Sequence, residues 1–136
     1  MGRTATISIY NATNADFTAP VSSISHGKIQ AGQGPKNPIG KGEIGIFKVG
    51  NRTGAKIGPK GMVTYETIQN NYKFQIVFTW DHPFSGAHSA YTCYSNPEGC
   101  ICAALSPANI EGSDQAINWR VELSPDYEKH AEKHSK

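Results

Sequence analysis

The sequence predicts an all-β protein: an antiparallel β-sandwich forming a single domain over residues 1–125, with a short charged C-terminal tail over 126–136. Three observations carry that expectation. Apolar side chains recur with a period of two, the signature of half-buried strands, rather than at helical spacing. The 14 Gly and 8 Pro, with 38% hydrophobic and 18% charged residues, describe a turn-rich chain of modest charge, the composition of a sheet protein rather than a helical one. Short apolar segments alternate with turn signals at spacings close to those of a sandwich.

The first strand is expected over Thr4–Tyr10, where Ala5, Ile7 and Ile9 alternate with polar neighbours and Tyr10. A second falls within Pro20–Ile29, and the Gly/Pro/Lys-rich stretch 32–42 has no periodicity and reads as a long loop. Further strands follow at Glu43–Val49, Gly61–Thr67, Tyr72–Trp80, Ser89–Tyr94, Cys100–Leu105 and Ile117–Leu123. Tyr72–Trp80 gives the clearest signal: every even position is apolar or aromatic and most odd ones are polar. In the last strand Ile117, Trp119, Val121 and Leu123 share one face, which makes Trp119 a core residue. The tail from Tyr127 to His134 is charged and reads as a helical or disordered solvated end. No internal repeat is present.

Charge and hydropathy exclude several classes. A net charge of +2 without a Lys/Arg block lacks the electrostatic footprint of a nucleic-acid binder, so no nucleic acid is expected as partner. No apolar run approaches the 18 to 20 residues, roughly, of a membrane-spanning helix, and no hydrophobic secretory signal opens the sequence. Met1-Gly2-Arg3-Thr4-Ala5-Thr6 fits a myristoylation pattern, but it runs straight into a strand. Asn11-Ala12-Thr13 and Asn51-Arg52-Thr53 fit the glycosylation acceptor and read more simply as Asn in turns.

Motifs associated with chemistry are weak. Gly40-Lys41-Gly42-Glu43-Ile44-Gly45 matches G-x-G-x-x-G but follows a proline-rich loop and leads into a strand, whereas a dinucleotide site needs a helix there. The basic, Gly-rich segment 50–61 lacks the Gly-Lys-Ser/Thr ending of a phosphate loop; it reads as a long turn that could meet anionic head groups. Cys93, Cys100 and Cys102 bracket Asn96-Pro97-Glu98-Gly99, a type I turn sequence. A simple hairpin there sets Cys93 opposite Cys102, and a bulge at Gly99 sets it opposite Ala103. A disulfide from Cys93 to Cys100 or Cys102 stays open, although an odd count favours reduced thiols. His130 and His134 are spaced i, i+4 without a further ligand. No paired carboxylates stand out, so the expectation is a non-enzymatic protein with no metal and no cofactor.

What remains is recognition. The loop Thr79-Trp80-Asp81-His82-Pro83-Phe84-Ser85-Gly86-Ala87-His88 carries large aromatic groups into a Pro/Gly-rich, solvent-facing segment, and loops are where binding residues concentrate. Trp80, Phe84, Tyr91 and Tyr94 lie on or beside it, and rings with a polar edge suit a membrane interface. Asp81 sits among them. Lys28, Arg52 and Lys60 can attract phosphate oxygens if the fold gathers their loops. The competing structural reading has Trp80 and Phe84 plugging one end of the sandwich.

The order Phe47, Gly50-Asn51-Arg52, Gly54, Gly58, Gly61, a strand, Trp80-Asp81-His82-Pro83-Phe84-Ser85-Gly86 and Ser95-Asn96 resembles the aegerolysins. It looks especially like their bacterial insecticidal crystal-protein branch, the small components of binary toxins. Ser25-His26-Gly27-Lys28 resembles the place of the family's Trp-Gly-Lys signature, with His26 where the Trp stands. Residues 100–113 have no counterpart. The resemblance implies an actinoporin-like β-sandwich that binds membrane lipid, commonly a sphingolipid or a sterol-containing membrane, through Trp80, Asp81, Phe84, Tyr91, Tyr94, His26, Lys28 and Arg52. It further implies a second, larger pore-forming protein as partner and a cytolytic, haemolytic or insecticidal outcome. Such a protein would be made in the cytoplasm, as an inclusion or crystal, then released to act at target-cell membranes. The alternative is a carbohydrate-binding β-sandwich lectin, with loop aromatics stacking on sugars and Asp81, Asn96 or His88 bonding hydroxyls. A small hydrolase using Cys93 or His82 is a third class.

Overall fold

The computed structural model describes residues 2–52, 54–84, 88–106 and 109–133. Among these residues ten strands and one short helix follow one another: β1 (Thr4–Asn11), β2 (Thr18–His26), β3 (Lys28–Ile29), β4 (Ile44–Gly50), β5 (Lys60–Gln69), β6 (Tyr72–Asp81), β7 (Ala90–Asn96), β8 (Ile101–Leu105), β9 (Asp114–Leu123), α1 (Tyr127–His130) and β10 (Glu132–Lys133). They form two sheets. Sheet I has the order β3-β4-β1-β9-β8; in sheet II, β2, β5 and β6 are neighbours and both β7 and β10 pair with β6. The sandwich expected from the sequence is therefore present. Among the described residues its one departure from antiparallel pairing is β1 with β9, which run parallel. No tight turn joins those two strands, because β2 to β8 lie between them in sequence, so connection geometry does not dictate their relative direction.

The alternation of the sequence sets the two faces. Ala5, Ile7 and Ile9 of β1, Phe47 and Val49 of β4, and Ile117, Trp119 and Val121 of β9 point inward from sheet I. From sheet II they meet Val63 and Tyr65 of β5 and Phe74, Ile76, Phe78 and Trp80 of β6. Trp119 is core, as expected. The turn between β5 and β6 is Asn70-Asn71, both at positive φ (48° and 72°), as a two-residue type I′ hairpin demands and as Asn tolerates. Gly40–Gly45 leads into β4 through a turn in which Glu43 Oε1 accepts from the Gly40 amide at 2.7 Å, so it has no helix to hold a dinucleotide.

Two expectations change. The cysteine hairpin does not form: β7 pairs with β6 in sheet II and β8 with β9 in sheet I. The turn at 97–100 instead carries the chain across the sandwich, closed by the Ser95 hydroxyl, which accepts from the Cys100 amide at 2.9 Å and donates to the Pro97 carbonyl at 2.8 Å. Cys93 thus lies opposite Phe78 and Cys102 opposite Glu122, and all three thiols are free. The tail has the short helix and the exposed charges expected of it, but as far as it is described it also returns to the sandwich. Tyr127 meets Tyr72 edge to face at 6.1 Å, and Glu132 and Lys133 pair with Lys73 and Tyr72 of β6. Tyr127 and Ala131 both pack against the core. His134 lies outside the described residues.

Candidate functional site

One end of the sandwich, here the cleft pole, gathers the β2–β3 turn, the β4–β5 loop and the start of the β6–β7 loop. Two close approaches fix it. At Gly27, with φ at +81°, a Cβ would collide with the Gly50 carbonyl, and at Gly58 it would collide with the carbonyl of His82. Only glycine lets these backbones touch. Asn51 holds the β4–β5 loop: its Oδ1 accepts from the Arg3 amide at 2.7 Å and its Nδ2 donates to the Ala55 carbonyl at 2.8 Å. Arg3 in turn donates from Nε to the Phe84 carbonyl at 2.9 Å and lays its guanidinium 4.9 Å from the centre of the Phe84 ring. Phe84 is thereby pinned and half-buried.

Two clefts open beside each other on this pole. The first, about 400 Å³, is lined by Ile24, His26, Lys28, Ile29, Arg52 and Ile57, with intervening small residues. The second, about 330 Å³, shares His26 and Ile57 and adds Lys56, Lys60, Asp81 and Phe84. Lys28 and Arg52 line the first cleft and Lys56 and Lys60 the second, where Lys60 stands 4.0 Å from Asp81, the one carboxylate in either lining. Ile57 is 54% exposed at the crest between the clefts. Aliphatic side chains beside exposed cations suit an amphiphile with an anionic head.

The site residues expected from the sequence divide. His26, Lys28 and Arg52 converge on the first cleft and Asp81, Lys60 and Phe84 on the second. Three aromatics do not join them. Trp80 is on β6, not on the loop, and is 1% exposed; its indole packs over Gly61 in the facing register and meets Phe47 at 5.5 Å. It plugs the end of the core. Tyr91 points inward beside it, with its hydroxyl donating to Gln115 Oε1 across the two sheets at 2.6 Å and burial raising its pKa. Tyr94 is exposed, but on the outer face of sheet II opposite Val77, away from the pole. The reason is strand parity: residues 80 and 91 share the inward row and 94 falls on the other face. Ser85, Gly86 and Ala87 of the aromatic loop, and Thr53 of the second acceptor motif, lie outside the described residues.

Sequence reasoning missed Ile24, Ile29, Lys56 and Ile57. The signal for Ile57 was present: a lone aliphatic residue between Lys56 and Gly58-Pro59, in a segment with no strand period that could bury it. Arg3 as the clasp on Phe84 had no local signal, because its partner is 81 residues away.

The residues of the other two readings lie apart from one another. Asn96 ends β7 at the opposite end of the strand from Ala90, next to Gln75, and His88 lines a different cleft with Arg3, so of the three candidate sugar-bonding residues Asp81 alone lines the two clefts. His82 is 2% exposed. A carbonyl only accepts, so its Nε2 donates to Ser113 O at 3.0 Å and its Nδ1 accepts from the Ser89 hydroxyl at 3.2 Å. Burial holds its pKa below the ordinary histidine value. Burial likewise pushes the Cys93 and Cys100 thiols up, away from the thiolate a nucleophile needs. Among the described residues no histidine hydrogen-bonds a cysteine, and no group of three His, Cys, Asp or Glu side chains could hold a metal. Asn11, the first acceptor asparagine, is fully buried.

No protein-family model matches the chain, and no curated protein sequence matches it. Solved structures do. The lipid-binding protein Nakanori superposes with a TM-score of 0.75 at 19% identity, covering 89% of this chain and 71% of that one. The RahU protein, crystallised in complex with a TRIS molecule, gives 0.68 at 16% identity over 90% of this chain and 94% of its own. IP-1A from Alcaligenes faecalis gives 0.63 at 16% identity over 89% and 91%. At such identities the likeness concerns the fold, and the fold is an aegerolysin-like β-sandwich.

Proposed function

We propose that this chain is a non-enzymatic protein that binds membrane lipid through its cleft pole. One observation carries the reading: the adjoining clefts in which Lys28, Arg52, Lys56 and Lys60 stand beside Ile24, Ile29 and Ile57. A phosphate head group takes its charge-assisted contacts from Arg52 and the lysines, while Ile57 and the Phe84 ring enter the acyl boundary and the charged stems stay at head-group level. The lipid binding of Nakanori, on a similar fold, supports this reading. The finer form of the proposal is that the lipid is a sphingolipid, or lies in a sterol-containing membrane. In that form the chain is the small component of a pore-forming cytolytic or insecticidal system, recruits a larger second protein, and acts at target-cell membranes after release from the cell that made it.

Sedimentation with liposomes tests it, using vesicles with ceramide phosphoethanolamine, with sphingomyelin and cholesterol, or with neither. Binding that depends on composition and falls in folded Arg52→Ala and Ile57→Ser variants is the expected result. Absence of binding to every composition overturns the lipid reading; binding that survives both substitutions moves the site off the cleft pole.

A further inference from the structure

The two long open edges of sheet II match each other. β5 is the only strand paired with β2, and β6 the only one paired with β7, among the described residues. β2 is unusual in being exposed on both faces along nearly its whole length. Neither Thr18–His26 nor Ala90–Asn96 contains a Lys, Arg, Asp or Glu, although charged side chains are a common way to keep an edge strand from pairing with another chain; β2 does carry Pro20 and register shifts at Thr18/Val21 and Ile24/His26, which leave Val21–Ile24 as its regular open stretch. The pairing registers then place Val21, Thr64, Val77 and Tyr94 in one row across the outer face. The row ends, at its two edges, in exposed apolar groups: Val21 at 66% and Tyr94 at 42%.

We propose that copies of this chain associate side by side, β2 of one molecule adding to β7 of the next. Three antiparallel steps separate β2 from β7, so the two strands run in opposite directions. A second copy displaced sideways without inversion therefore presents β2 to β7 as an antiparallel partner. In that register Tyr94 faces Val21 of the neighbour and Thr92 faces its Ser23, continuing the same outer row. The contact is head-to-tail rather than two-fold, so it propagates into an arc, ring or filament. Every copy keeps its cleft pole on the same side. Pairing two β2 strands about Ser23 would instead point the poles in opposite directions. The proposal does not rest on lipid binding.

Cross-linking tests it. In a Cys102→Ser background, Ser23→Cys and Thr92→Cys are made as separate proteins and oxidised with copper phenanthroline, alone and mixed, free at high concentration and on vesicles. Directly opposed residues of an antiparallel pair lie within disulfide reach. The expected result is a dimer at least tenfold more abundant in the mixture than in either protein alone, abolished when Val21→Lys is added to the Ser23→Cys protein. Circular dichroism confirms that each variant is folded. No mixed cross-link under either condition overturns the proposal, and a dimer of Ser23→Cys with itself replaces it by two-fold β2 pairing. Cross-linking in solution without any vesicle binding would sink the lipid reading and leave this one standing.

Discussion

The two ends of the sandwich spend their polar groups in opposite ways. At the end away from the clefts, Asn11, Thr13, Thr67 and Gln69 are buried and bonded to one another and to the chain. Asn11 Nδ2 donates to the Ala15 and Ile39 carbonyls at 2.9 and 3.0 Å, and its Oδ1 accepts from Thr13. At the cleft pole Lys28, Arg52 and Lys56 are exposed and form no ion pair among the described residues. A satisfied buried network specifies a structure, whereas exposed charges add little to stability and are free for a partner. The difference separates the part of the molecule that holds the fold from the part available to bind.

That separation can be broken in graded ways. The largest effect is expected where the cleft pole meets the core: Trp80→Ala should cost about 4 kcal/mol of unfolding free energy, read by urea denaturation, while the molecules still folded bind vesicles as before. A loss of binding without a loss of stability would return the indole to the interface. Asn11→Ala comes next, at about 3 kcal/mol, since it leaves several buried partners unpaired; vesicle binding should again be unchanged. Removing Lys28 and Arg52 together should do the reverse. Stability should change by less than about 0.5 kcal/mol, while affinity for vesicles carrying anionic lipid falls by about 1 kcal/mol per side chain, roughly fivefold each, with a weaker salt dependence.

The smallest effect concerns pH. The His82 pKa is held below its ordinary value near 6.5, first by burial, so the unfolded chain binds a proton that the folded one still refuses. Stability should therefore fall as the pH drops below about 6.5 and level off once the folded-state pKa is passed. In His82→Gln this slope should be shallower in denaturation curves taken across the range. An unchanged slope would assign the acid sensitivity to other groups.

The strands were legible wherever one face is buried against the other sheet. β1, β5, β6 and β9 alternate in the sequence because alternate residues are dry in the fold. β2 is exposed on both faces, so it has no such pattern, and only its neighbourhood was located. The aromatic loop misled for a related reason: Trp80 ends a strand whose parity already places it with Phe78 in the core, and composition near a loop does not override parity. Lys28 and Arg52 were nameable as cations, but their convergence depends on the backbone contact at Gly27, which joins turns distant in sequence. The sheet membership of β7 and β8 was hidden too, because Asn96-Pro97-Glu98-Gly99 is equally good turn sequence for a hairpin and for a crossing between sheets.

The parallel pairing of β1 with β9 has a consequence for how the molecule is made. β1 lies in the middle of sheet I, with β4 on one side and β9 on the other. During synthesis its first partner arrives about forty residues later and its second only after more than a hundred, by the spacing of Thr4–Asn11, Ile44–Gly50 and Asp114–Leu123. β1 therefore carries an unpaired edge until the last strand of sheet I has emerged. Pairings of such long range fold slowly, so the yield of native protein should depend on how well that edge is kept from other chains in the interval.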